Sequence, residues 1–174
     1  MKAATFWKTV AMDGSDFLQK LLDLLDGLKI PYCVIGGQGV NAYVEPVVSL
    51  DLDIAVAADQ IGRLESALTG YRIKKFAHSL NVALEGSDLR VQIRLDPRYA
   101  EFVDRATRRD VLGFKLPVAS ITDLLSGKVW AASDPSRRAS KRQKDLADIA
   151  RLLEARPDLR DRVPRKLLDK LISD

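Results

Sequence analysis

Histidine and cysteine, the side chains most used to hold transition metals, are almost missing from this chain. Its 174 residues include one cysteine, Cys33, and one histidine, His78. One of each cannot build a four-ligand zinc site, so histidine–cysteine metal chemistry is excluded. Cys33 lies inside the apolar run Tyr32-Cys33-Val34-Ile35 and reads as a small core residue, which suits a reducing cytoplasm. No apolar run approaches the ~20 residues that a membrane helix needs. The N-terminus also lacks the basic-then-apolar layout of a secretory signal. Internal repeats and low-complexity linkers are absent. What is there is ordinary globular material, 47% apolar and 30% charged, in a length that fits one domain with a real core. The net charge of +4 is mild, and its uneven placement is more informative than its size.

Hydrophobic periodicity divides the chain into a loose arm (1–14), an α/β core (15–118) and a helical half packed on that core (119–174). Ser15 suits the N-cap of a helix over 15–29 whose apolar face carries Phe17, Leu21, Leu24, Leu25 and Leu28. Pro31 stops it. Strands are expected over 32–35 and 50–56, followed by a helix opened by Asp59, carrying Ile61, Leu64 and Leu68, and closed by Gly70. A strand over 71–76 comes next, then a hairpin of 81–85 and 89–95 around Gly86-Ser87-Asp88. Residues 97–105 read as a short helix or loop, and two short strands, 110–112 and 114–118, flank Gly113. From Ser120 or Thr122 the pattern is helical, with breaks at Asp134-Pro135, Pro157 and Pro164. The fold class is α/β: a small mixed sheet flanked by helices, with a helical C-terminal half.

The most informative stretch runs from 34 to 56. A short apolar strand breaks at Gly36-Gly37, a helical spacer over 38–43 follows, and a second strand reads Leu50-Asp51-Leu52-Asp53-Ile54-Ala55-Val56. Side chains alternate along a strand, so Leu50, Leu52, Ile54 and Val56 face a core while Asp51 and Asp53 share the other face, roughly 6.5–7 Å apart. Two such carboxylates can converge on magnesium, a hard cation held by one or two carboxylates plus substrate phosphates. Gly-Gly between a strand and a helix lets a phosphate approach backbone N–H groups. A strand with two outward Asp is, taken alone, more often a solvated face.

The whole arrangement is more specific. Ile35-Gly36-Gly37, thirteen residues, then Asp51-Leu52-Asp53 resembles the signature of the nucleotidyltransferase (polymerase-beta-like) superfamily. Ser49 matches a small hydroxyl residue often found two before the first Asp, while Val47 stands where an Arg is frequent. The helical half adds a second resemblance. Leu124-Leu125-Ser126-Gly127-Lys128-Val129-Trp130-Ala131, followed by Ser140-Lys141-Arg142-Gln143-Lys144-Asp145-Leu146-Ala147-Asp148-Ile149, is similar to the Lys helix and Lys-Asp-x-x-Asp helix of bacterial AbiE-type toxins. These resemblances imply Mg²⁺- (or Mn²⁺-) dependent transfer of a nucleotidyl group from an NTP to an acceptor. Asp51 and Asp53 would be the catalytic metal ligands. Gly36, Gly37 and Ser49 would contact the nucleotide, and Lys128 with Asp145 or Asp148 would complete its site. Enzymes of this superfamily usually add a third carboxylate from a neighbouring strand. Along 89–96 the odd positions are apolar, so Arg90, Gln92, Arg94 and Asp96 share the site-facing side. The third acid falls at Gln92, a neutral and weaker ligand. Asp96, roughly 13 Å further along the strand, is the alternative metal ligand.

Charge placement supports an anionic ligand. Arg137, Arg138, Lys141, Arg142 and Lys144 open the helix after Pro135, where the dipole disfavours cations by roughly a few tenths of a kcal/mol each. At 100° per residue, Leu146, Ile149, Ala150 and Leu153 define the buried side. Arg138, Arg142 and Asp145 then flank it, while Arg137, Lys141, Lys144 and Asp148 point outward. Arg138 and Arg142 are therefore the expected phosphate-binding pair. Arg105, Arg108 and Arg109 add positive charge between the two halves. The basic helix makes RNA, tRNA among it, the first choice of acceptor, and the toxin resemblance implies a cognate antitoxin as partner. Two readings from other classes compete: a nucleotide- or RNA-binding module that lost its chemistry, favoured by Gln92, and a subunit that binds a protein partner.

Overall fold

The computed structural model describes residues 12–171, and residues 1–11 of the expected arm lie outside the described residues. Helix α1 (Met12–Gly27) buries Phe17, Leu18, Leu21 and Leu25 completely or nearly so. It stops ahead of its apolar pattern because Lys29 takes φ 54. The Lys29 N–H donates to Asp26 O and the Ile30 N–H to Leu25 O, both at 3.0 Å, the paired bonds of a Schellman ending.

Seven strands form one mixed sheet: β1 (Tyr32–Ile35), β2 (Asp51–Val56), β3 (Arg72–Phe76), β4 (Ser79–Ala83), β5 (Arg90–Arg94), β6 (Thr107–Val111) and β7 (Phe114–Val118). Their order is β3-β4-β5-β2-β1-β7-β6. The pairs β2–β5 and β1–β7 are parallel and the other neighbours antiparallel. The helices are α2 (Gly36–Asn41), α3 (Ile61–Ala67), α4 (Ala100–Asp104), α5 (Ile121–Ser133), α6 (Ala139–Ala155) and α7 (Arg165–Leu168). Among the described residues no helix is long and apolar enough to cross a membrane.

The two sheet faces differ. Leu52, Ile54, Leu80, Val82, Val91 and Ile93 are buried on one face, in a core shared with α1 and with Leu64 of α3. An ion pair from Lys75 of β3 to Glu65 of α3, at 2.8 Å, ties that side together. On the opposite face α2 and α4 pack over β1 and β2, and α5 and α6 pack in turn on α2. Cys33 is fully buried in β1, and burial pushes its thiol up to about 12.

Two strands begin earlier than their sequence patterns. β4 starts at Ser79 rather than 81, joined to β3 through Ala77-His78. Neither residue is Gly, Asn or Asp and neither has positive φ, so the usual hairpin signal was missing. β6 starts at Thr107 rather than 110. Its turn to β7 uses Leu112 (φ 53) and Gly113 (φ 88), the pair of positive φ values that a type I′ turn needs. In the C-terminal half Ser120 caps α5, its Oγ accepting from the Asp123 N–H at 3.1 Å. The breaks before Pro135, Pro157 and Pro164 stand where expected.

Phe17 is fully buried, so Phe17→Ala should cost about 3–5 kcal/mol. Urea unfolding should show a lower midpoint with an unchanged slope.

Candidate functional site

β2 presents Asp51 and Asp53 on the face that α2, α5 and α6 border, while Leu52 and Ile54 between and beyond them are buried on the other. Gly36, at φ 64, brings the start of α2 so close that a Cβ there would overlap the Asp53 carboxylate. Next to it Gly37 has open space on its Cβ side. Ser49 orients the strand entrance: its Oγ accepts from the Asp51 N–H at 3.2 Å and its carbonyl accepts from Gln38 Nε2 at 2.8 Å. The result is a cleft of about 250 Å³ with Gly37, Ser49, Asp51 and Asp53 on one wall. Lys128 of α5 and Lys141, Lys144, Asp145 and Asp148 of α6 form the other, with Arg137 just before α6.

Asp53 is enclosed, its side chain about 20% exposed. Burial raises its carboxyl above the ordinary carboxylate range, against the pull of Arg94 and Lys128. Asp51 is the more open of the two, and Arg90 Nε reaches its Oδ1 at 2.8 Å. Lys141 Nζ lies 4.0 Å from Asp51 Oδ2, and Arg94 Nε lies 3.8 Å from Asp53 Oδ1.

Behind the cleft lies an ion cluster. Lys128 Nζ contacts Asp148 Oδ2 at 2.7 Å and Asp145 Oδ1 at 3.2 Å. Arg137 Nε donates to Asp145 Oδ2 at 2.8 Å, and Arg151 Nη1 to Asp148 Oδ1 at 2.8 Å. Arg151 also donates to Asn41 Oδ1 at 2.9 Å and to the Glu45 carbonyl, tying α6 to the end of α2. Burial alone would lower the Lys128 pKa, yet Asp148 and Asp145 hold it above its ordinary value, so the ammonium stays charged.

The structure thus brings Gly36, Gly37, Ser49, Asp51, Asp53, Lys128 and Asp145 together. It does not bring in Arg138 and Arg142. Arg138 precedes α6 and donates to Ser140 Oγ, while Arg142 turns back onto the Asp134 and Pro135 carbonyls. The reason is a rotation of α6. Asp145 and Leu152 are buried with Leu146, Ile149 and Leu153, so the flank carrying Lys141, Lys144 and Asp148 opens on the cleft. Asp145 and Asp148, three apart, had to reach one lysine on α5, and the cations one turn earlier follow them around; that spacing was the available signal. Asp96 is also elsewhere: it caps a 3₁₀ turn, Pro97–Tyr99, and accepts from the Arg98 guanidinium at 2.7 Å. Those hydrogen bonds hold its carboxyl below the usual range. Gln92 pairs in register with Asp53 on the adjacent parallel strand, and its Nε2 donates to Ser79 Oγ at 3.4 Å. Arg105 is held by Asp123 and Glu101, Arg108 by the Lys115 carbonyl, and Arg109 lies over the Tyr43 ring, so none of the three lines the cleft.

Among the described residues no group of three or more His, Cys, Asp or Glu side chains is placed to hold a metal ion. Two outward carboxylates beside an open, cation-lined cleft fit one Mg²⁺ that takes its remaining oxygens from substrate phosphates. They do not fit a metal pair held by protein ligands alone.

Two predictions follow from this geometry. An unfolded aspartate ionises near pH ~3.9, whereas folded Asp53 keeps its proton to higher pH. The native state therefore binds more protons across that interval, and stability falls as pH rises through it. Asp53→Asn should match wild type below about pH 4 and gain on it as pH rises, levelling off above the folded pKa; urea melts across a pH series read this. Lys128→Met leaves buried Asp145 short of a cation and should cost about 3–5 kcal/mol. Thermal unfolding should then shift down by roughly 6–20 °C.

The sequence profile described as nucleotidyl transferase AbiEii toxin, type IV toxin–antitoxin system, matches residues 41–173. No curated protein matches by sequence. Among solved structures, the antibiotic-resistance factor ANT(2″)-Ia is 16% identical, covering 88% of this chain and 93% of its own, with a TM-score of 0.53. The lincosamide antibiotic adenylyltransferase LnuA, solved with lincomycin, is 17% identical over 78% of this chain and 95% of its own, at a TM-score of 0.53. An antigenic nucleotidyltransferase-like protein from Paracoccidioides brasiliensis is 19% identical over 97% and 94%, at 0.51. At these identities the likeness is one of fold, and the family rests on the profile match: the chain belongs to the AbiEii nucleotidyl transferase toxin family of type IV toxin–antitoxin systems.

Proposed function

We propose that the cleft between β2 and α6 binds an NTP with Mg²⁺ (or Mn²⁺) and that the chain transfers the nucleotidyl group to an RNA acceptor, tRNA being the first candidate. In this reading it acts in the cytoplasm as the toxin of a pair and meets a cognate antitoxin as its protein partner. The observation that carries the reading is a pair of carboxylates, Asp51 and Asp53, facing a wall of cations across one cleft. Asp51 and Asp53 would hold the ion, which when bound neutralises charge on the phosphates during transfer. Arg137, Lys141 and Lys144 supply counter-charge to the triphosphate, and the open backbone at Gly37 lets a phosphate come close. Lys128 and Asp145 act by position, since each is engaged by the other and fixes α6 against α5.

A second reading, nucleotide binding with little or no transfer, is favoured by two observations. The neutral Gln92 stands in register with Asp53, and Arg90 sits on Asp51. Transfer from a Mg²⁺-bound donor needs charge stabilisation at both attacking and leaving oxygens, and a missing carboxylate weakens a second metal.

The test uses purified full-length chain. An NTP with Mg²⁺ at about 100 times its Kd should stabilise the fold by about 2.7 kcal/mol, read as a raised Tm. Incubation of α-labelled NTPs with a pool of RNA acceptors should give labelling that Asp53→Ala abolishes, Gln92→Asp increases and Asp96→Asn leaves unchanged. Stabilisation without labelling, restored by Gln92→Asp, would establish the second reading. An absence of stabilisation by any NTP would overturn both.

A further inference from the structure

The sheet does not end at the cleft. Beyond β2 the strands β5, β4 and β3 continue the Asp51/Asp53 face, and residues paired directly across strands point to the same side. The register gives two complete rows. Asp53 pairs with Gln92, Gln92 with Asn81 and Asn81 with Lys74; Ala55 pairs with Arg94, Arg94 with Ser79 and Ser79 with Phe76. Arg90 and Arg72 belong to the same face. Arg72, Lys74 and Phe76 are exposed, Phe76 by 43%, and the Arg90 side chain is 70% exposed. The Lys74 ammonium lies 5.3 Å from the centroid of the Phe76 ring. β3, β4 and β5 contain no Asp or Glu. Glu85 and Asp88, in the turn between β4 and β5, bound the far end. Three strand spacings put β3 roughly 14 Å from β2.

Lysines on an edge strand are a common defence against edge-to-edge aggregation. That account covers β3 alone. It does not explain an aromatic ring left open on the edge itself, and the β5 arginines, which reach Asp51 and Asp53, carry the positive charge on from that edge to the carboxylates.

We infer that this face is the track along which a single-stranded RNA acceptor approaches the carboxylates. The inference rests on the nucleotidyl-transfer reading above and names where the acceptor lies. A sheet face with an open aromatic and flanking cations has the two features that hold single strands: a ring on which any base can stack and positive charge along the backbone. A folded protein partner also uses aromatic anchors but surrounds them with an apolar patch, and Phe76 is the one exposed large apolar side chain that β3, β4 and β5 carry on this face. The strand crosses β3 at Phe76 and Lys74, passes Arg94 and Arg90, and presents its terminal hydroxyl beside Asp53.

The test measures fluorescence anisotropy of an end-labelled, unstructured 12-nucleotide RNA of mixed sequence across a salt series, with NTP-induced Tm shifts in parallel. Arg72→Gln with Lys74→Gln should weaken RNA binding tenfold or more and flatten the log–log salt slope by about 1.4, two cations at roughly 0.7 each. Phe76→Ala should weaken it about tenfold with the slope unchanged. The charge-keeping pair Arg72→Lys with Lys74→Arg should retain binding, and every variant should keep the wild-type Tm shift with NTP. Wild-type affinity and slope in the Gln pair would overturn the track. So would a wild-type chain that NTP stabilises but that binds no RNA, an outcome that leaves the nucleotide reading standing. RNA binding lost in these variants, in a chain that no NTP stabilises, would support the track as an RNA surface and sink the transfer reading instead. Polyglutamate of equal charge binding as tightly as RNA, with Phe76→Ala affecting neither, would make the face an acidic-protein surface.

Discussion

The contact on which the rest of the site depends is the burial of Lys128 among Asp145 and Asp148. A lysine about 12% exposed is costly unless paired, and the carboxylates that pair with it lie three apart on α6. Meeting both fixes the rotation of α6 about its axis and its distance from α5. Arg137 and Arg151 extend the cluster, one beside the mouth of the cleft and the other to the end of α2. Three cations and two carboxylates therefore hold three helices in one arrangement around β2. Such clusters contribute less net stability than their Coulomb attraction suggests, because desolvation offsets much of it. Their effect is geometric: one helix rotation is satisfied and the others leave charges stranded.

A second constraint acts inside the cleft. Asp51 and Asp53 are anchored by backbone alternation, but their charge is contested by Arg90 and Arg94 from β5 and Lys141 from α6. On the proposed function, a metal with its triphosphate would compete with those guanidinium groups for the same oxygens. The triphosphate would offer the displaced cations new partners, so nucleotide and metal would favour each other's binding in that reading. The elevated pKa of Asp53 has a different origin: burial raises it and outweighs the cations around it.

The position of β2 gives one face two different halves. Helices α2 and α4 pack on that side over β1 and β2, which encloses the cleft where the carboxylates stand. Toward β3 the same face carries exposed cations and an exposed ring. A polymer on the inferred track would cross the open half and meet the enclosed half at β2, where the register places Gln92 between the two.

Much of this was legible in local pattern. The alternation that separates Asp51 and Asp53 from Leu52 and Ile54 and the proline breaks of the C-terminal half are decided within a few residues by backbone sterics, and they stand in the structure as read. The glycine pair ends β1 as read but opens α2 instead of preceding it, so that helix runs over Gly36–Asn41 rather than 38–43. The strand starts at Ser79 and Thr107 were not legible, because the turns that define them lack the usual glycine–asparagine chemistry or run further into cross-strand pairing than hydrophobicity shows. The cation set of the cleft was not legible either. Helical periodicity ranks Arg138 and Arg142 near the apolar side, which is correct for the helix in isolation. Only packing against α5 decides how far that side is turned, and Lys128, far away in sequence, needs its counter-charges more than Ala150 needs full burial. Local sterics set which residues share a face; long-range desolvation decided which face meets the cleft.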